Sequence, residues 1–73
     1  MWPDRPGRAV LEVYDVHGRR VKTLLKSRSV GAGSTKVVWD GSNDSGNKVG
    51  SGLYWVRLRM NGAVSTQKLV LLK

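Results

Sequence analysis

Few residues in this chain are equipped for chemistry, and they fall into three groupings. The single histidine, His17, stands two positions after Asp15. A histidine beside a carboxylate is the start of an acid–base pair, but catalysis also needs a nucleophile or second acid within hydrogen-bond reach. No Ser–His–Asp arrangement, paired carboxylates or phosphate-cradling glycine loop accompanies it. His17 therefore reads as a turn residue, and no enzymatic activity is expected. The second grouping, Asp40, Ser42 and Asp44, has the one-three-five spacing of oxygen ligands in a calcium loop. The glycine comes one place late, at Gly46, and position 51 is Ser where a bidentate Glu would stand. Asp and Asn side chains capping their own backbone explain the segment better. No metal or cofactor is expected, and an ion in the 41–52 loop is the less favoured alternative.

The third grouping is Trp55, Arg57 and Arg59, which alternate along one stretch and so share a face if that stretch is a strand. An aromatic among arginines can stack a base or sugar while the guanidiniums hold phosphates. Equally, long Arg stems can cover a sheet surface and pack on the Trp ring. The net charge of +8, from thirteen Lys/Arg against five Asp/Glu, permits an anionic partner. The basic residues are spread along the chain rather than gathered in a tract, which favours a solvated surface. Nucleic acid is not the expected partner.

The elements that position these residues are strands. No helical period occurs; short β-rich runs alternate with Gly, Asn, Asp and Ser. Residues 9–15 form a first strand, with Ala9, Leu11 and Val13 on one face and Glu12 and Tyr14 on the other. Residues 16–19 reverse the chain through Gly18. Residues 20–25 return antiparallel, and the spacing of Val21 and Leu24 breaks alternation, predicting a bulge or an early end. A loop over 26–34, a third strand over 35–40 and a turn-rich connection over 41–52 follow. In the strand at 53–60, Tyr54, Val56, Leu58 and Met60 oppose Trp55, Arg57 and Arg59. Asn61-Gly62 predicts a two-residue type I′ turn into a last strand over 63–72. The proposed core is Leu11, Val13, Val21, Leu24, Val37, Trp39, Tyr54, Val56, Leu58, Leu69 and Leu71.

Seventy-three residues make one small domain, with residues 1–7 as an N-terminal extension and 8–73 as the folded unit. A chain of this length buries only about 60% of the surface its unfolded form exposes. No cysteine is present to staple it. No apolar run is long enough to form a membrane-spanning helix, and the opening residues lack the apolar region of a signal peptide. If the domain comes from a longer chain, its export signal lies elsewhere.

Several of these pieces together resemble one family. Val13-Tyr14-Asp15-Val16-His17-Gly18-Arg19-Arg20-Val21 looks like the hairpin of two related bacterial domains: the immunoglobulin-like domain of flagellar hook-capping proteins and the C-terminal sorting domain of type IX secretion. Trp39-Asp40-Gly41, Asp44-Ser45-Gly46 and Gly52-Leu53-Tyr54 are similar to the hook-capping kind, and the closing residues 68–73 to the last strand of both. The resemblance implies an antiparallel immunoglobulin-like β-sandwich, an extracellular or cell-surface setting and a non-enzymatic role. Such domains begin with a further strand, whereas here Pro3 and Pro6 make the opening a poor one. The sandwich is therefore expected to lack its first strand and to leave a strand edge open.

The expected function is a structural interaction module, acting as a C-terminal sorting or anchoring domain read by secretion machinery. The first alternative is a self-assembling subunit completed by strand pairing between copies; the second is a polyanion- or nucleic-acid-binding module. The expected interface residues are Trp55, Arg57, Arg59, Val70 and Leu72.

Overall fold

In-and-out alternation of apolar and polar residues decides the two central strands. A computed structural model describes residues 6–31 and 37–72. Four strands follow one another: β1 (Gly7–Tyr14), β2 (Arg20–Val30), β3 (Gly52–Met60) and β4 (Ala63–Leu71). They form one antiparallel sheet in the order β2-β1-β3-β4. The all-β, immunoglobulin-like class holds, with the described residues supplying one open sheet.

On one face Ala9, Leu11 and Val13 of β1 lie opposite Met60, Leu58 and Val56 of β3. All of these are buried except Val56, which is half-buried. Leu25 and Val30 of β2 complete this core, and Leu24 and Val37 pack against it. Removing an apolar side chain of this size from water contributes about 1.5–3 kcal/mol, and a chain without disulfides depends on this small cluster for its stability.

Two tight turns set the register. In the β1–β2 hairpin the Asp15 carboxylate accepts the backbone amides of His17 and Arg19, at 2.9 and 3.0 Å, and Gly18 takes a φ of 78°. In the β3–β4 hairpin Asn61 and Gly62 have φ of 53° and 78°. Both central residues thus occupy the left-handed region, as the expected type I′ turn requires.

β2 differs from its sequence reading. It does not end at Leu25 but continues to Val30, through residues assigned above to a loop. The expected irregularity is present: three register shifts against β1 let β2 take up extra residues. One lies beside Ser27, which has a φ of 50° and whose carbonyl accepts a hydrogen bond from Arg8. The shifts rotate the strand, so that Leu25, rather than Leu24, is the buried residue.

β2 and β3 lie on opposite sides of β1, so the long connection between them must pass over the sheet. Val37 and Trp39 are half-buried while Val38 and Asp40 are exposed. This is the alternation that suggested a third strand. The described residues 37–40 form no strand, because no neighbouring strand offers them a ladder; Thr35 and Lys36 lie outside the described residues. Trp39 meets Tyr54 edge-on, with ring centroids 5.2 Å apart, and donates its indole N–H to the Ser42 carbonyl at 2.8 Å. The Tyr54 hydroxyl donates to the Gly50 carbonyl at 2.7 Å. The Trp-Asp-Gly corner and the Gly-Leu-Tyr re-entry are thereby locked together over one end of the core.

Candidate interaction site

The outer face of the sheet is polar and centres on Glu12. Because β1 has strands on both sides, its outward side chains at Val10, Glu12 and Tyr14 are half-buried or buried, and Glu12 is only 5% exposed. Burying a carboxylate is costly unless it is paired and hydrogen-bonded. Three arginines and a tyrosine supply the partners. Arg57, directly across on β3, donates to Glu12 Oε1 at 3.4 Å and also to the Tyr14 hydroxyl. Its guanidinium lies 4.6 Å from the Tyr14 ring centroid. The Tyr14 hydroxyl donates to Glu12 Oε1 at 3.1 Å. Arg59 stands 3.5 Å from Oε1, and Arg20 on β2 stands 3.6 Å from Oε2.

Burial pushes the Glu12 carboxyl up, but the hydrogen bonds from Tyr14 and Arg57 and the charges of Arg59 and Arg57 outweigh it. The net direction is below the ordinary glutamate value. Glu12 is therefore ionised at neutral pH and holds mutually repelling guanidiniums on one side of the sheet.

The expected interface residues are distributed unevenly over this surface. Trp55 stands opposite Tyr14 on one side and Lys68 on the other, partly exposed. Arg57 and Arg59 share its face, but Arg57 is engaged by Glu12 and Tyr14. Val70 lies opposite Leu53 on the same face and is 57% exposed; Leu72 follows the end of β4 and is 83% exposed. The sheet thus brings Trp55, Arg57, Arg59 and Val70 to one face, with Val70 on the outermost strand. Glu12, Arg20 and Asp44 are absent from the sequence-derived set. The available signal was an acidic residue in the middle of a largely apolar strand, facing away from Ala9, Leu11 and Val13. Its meaning depended on pairing β1 with β3.

The two edges of the sheet are treated differently. At the β2 edge, Asp44 from the long connection donates its backbone amide to the Val21 carbonyl at 2.9 Å, and its side chain accepts the Thr23 amide at 2.9 Å. A single loop residue thus occupies two backbone positions that a further strand would take. At the other edge β4 pairs with β3 over its whole length and, among the described residues, with nothing else. β4 carries one charge, Lys68, and exposes Val64 and Val70.

The loop that carries Asp44 is held by its own caps. Asp40 accepts the Ser42 amide and hydroxyl, which lower its pKa, and Asn43 accepts the amides of Ser45 and Asn47. These are the short-range turns expected of Asx residues. Among the described residues no group of three or more His, Cys, Asp or Glu is placed to hold a metal ion. His17 stands exposed in its turn.

Against this geometry, the model of the family described as "FlgD Ig-like domain" matches residues 3–63. The chain belongs to that family. The match includes β1, β2, the crossing connection and β3, whereas β4 lies beyond it except for Ala63. No curated protein and no solved structure matches the chain. Membership makes this FlgD Ig-like domain a structural, non-catalytic module of the flagellar hook-capping kind, whose setting is extracellular. No helix among the described residues is long and apolar enough to cross a membrane.

Proposed function

We propose that this FlgD Ig-like domain is a docking module of an exported or surface-displayed bacterial protein, and that the outer edge of β4 is its working element. The asymmetry of the two edges supports this reading: Asp44 caps β2 at Val21 and Thr23, whereas β4 offers nine residues of backbone with one charge among them. An open strand edge adds a partner's strand through main-chain hydrogen bonds, and alternate side chains supply specificity. Val70 and Leu72 then belong to the contact itself, while Trp55, Arg57 and Arg59 form the face beside it. In this role the domain serves in sorting or anchoring, including recognition by type IX secretion machinery.

Val64 and Val70 favour a second reading, self-assembly. A long edge strand with few charges is a template for a second copy, and a contact that does not close extends into a filament. Light scattering over a wide concentration range separates the two. A sorting domain keeps the 8.1 kDa mass of one chain throughout. An assembling subunit gains mass with concentration, and Val70→Lys abolishes the gain. If Val70→Lys forms the same oligomer, β4 is the wrong surface.

A further inference from the structure

The arginines around Glu12 exceed what one carboxylate can satisfy. Arg57 is hydrogen-bonded to Glu12 and to Tyr14. Arg20 and Arg59 are held differently. Their nitrogens stand 3.5–3.7 Å from the carboxylates of Glu12 and Asp44. Among the described residues neither side chain donates a hydrogen bond. Each guanidinium has five N–H donors in a planar fork, so these two residues present oriented and unused donors. They flank a cleft of 660 Å³ that sets the cations of Arg20, Lys26 and Arg59 against the carboxylates of Glu12 and Asp44, with Val10, Thr23 and Ser27 completing its lining.

We infer that this cleft docks side-chain carboxylates from an acidic segment of another protein. A carboxylate matches the guanidinium fork with two parallel hydrogen bonds, and such charge-assisted pairs are among the stronger ones. Glu12 lies beneath the cleft and preorganises both forks by drawing them inward from opposite flanking strands. Lys26 adds a cation at the rim. A second copy is a poor occupant, because each chain has only five acidic residues against thirteen Lys/Arg and two copies repel each other. Nor does the cleft suit single-stranded nucleic acid: no aromatic side chain lines it, and bases need a stacking platform. Trp55 stands farther along the face, outside the lining. This surface is separate from the β4 edge, and each stands or falls without the other.

The test is an amide chemical-shift titration of the ¹⁵N-labelled full chain with a short poly-glutamate peptide at low salt. The expected result is a set of shifts centred on Arg20, Thr23, Lys26 and Arg59. Arg20→Gln combined with Arg59→Gln weakens binding by about tenfold or more. Arg28→Gln combined with Lys48→Gln, which removes the same charge away from the cleft, leaves it near wild type. Absence of shifts overturns the proposal, as do shifts spread evenly over the basic residues or an equal loss in the control. A heparin oligosaccharide or an oligothymidylate that binds the same residues more tightly than poly-glutamate also overturns it, because the ligand is then a sulfated or phosphorylated chain. If the first double variant fails to fold, Lys26→Gln against Lys48→Gln decides: a selective loss with Lys26→Gln is expected, and equal effects overturn the inference.

Discussion

The side chain of Asp44 accepts the backbone amide of Thr23 at 2.9 Å, so an aspartate twenty-one residues away in sequence stands where a neighbouring strand's carbonyl would be. The same residue donates its own amide to Val21. One side chain and one peptide unit thereby close part of a sheet edge. The start of β2 is capped in this way, whereas β4 has no such cap among the described residues.

Asp44→Ala removes the side-chain acceptor and keeps the backbone donor. A backbone amide that loses a carboxylate partner at a partly exposed site costs about 1 kcal/mol. The urea midpoint is expected to fall accordingly, and exchange of the Thr23 amide with solvent should quicken more than that of β1 amides. Unchanged Thr23 protection would show that the loop does not guard this edge in solution.

Glu12→Gln keeps the shape of the side chain and removes the charge that holds Arg20, Arg57 and Arg59 together. Breaking a buried ion pair by removing one partner costs about 3–5 kcal/mol. The arginines here are partly exposed, with side chains 37–57% accessible, and solvent screening reduces the cost to about 2 kcal/mol. Arg59→Gln, which removes only a rim partner, is expected to cost less than about 1 kcal/mol. Chemical denaturation of both variants checks the order. Equal effects would mean that the three arginines do not share one centre.

The pH dependence follows from the same carboxylate. Although burial raises it, the folded-state pKa of Glu12 lies below the ordinary value of 4.5 because the hydrogen bonds and arginine charges prevail. A depressed carboxylate pKa stabilises the fold above the unfolded-state value, and the contribution is lost as pH falls through the lowered value. Asp15, held down first by the Arg19 amide, and Asp40, held down first by the Ser42 hydroxyl, act in the same direction. Stability measured by urea unfolding is therefore flat around neutrality and declines once pH drops below about 4.5. Glu12→Gln should make that decline shallower without removing it. An unaltered acid limb in the variant would contradict the assignment.

Tyr54→Phe tests the lock between connection and sheet. It deletes the hydroxyl that reaches the Gly50 carbonyl and leaves the ring against Trp39. A loss of about 1 kcal/mol is expected, with Trp39 fluorescence largely retained. A large change in the Trp39 signal would show that the hydroxyl, rather than the ring contact, positions the corner.

Much of this arrangement was legible in the residues because it is local. Asn61-Gly62 specifies its turn by the positive φ that both residues tolerate. Ala9, Leu11 and Val13 declare their face by spacing, and Trp39 and Tyr54 are assigned to the core by the same alternation. The remainder depends on distant pairing. Leu24 and Leu25 are interchangeable by spacing until the register shifts in β2 decide which points inward. Val37–Asp40 alternates like a strand, yet a ladder also needs a neighbour, which a residue pattern cannot supply. Glu12 was read as merely facing away from the core. Only the pairing of β1 with β3 sets Arg57 across from it, and only the crossing connection delivers Asp44 to β2.

The most direct measurement is an amide chemical-shift titration of the ¹⁵N-labelled chain with a peptide of the sequence Ala63–Leu71. If the β4 edge is the docking element, shifts concentrate on β4 and change little with salt, because backbone hydrogen bonds and apolar contacts carry the contact. Shifts confined to β2, or none up to the solubility limit of the peptide, would contradict the account.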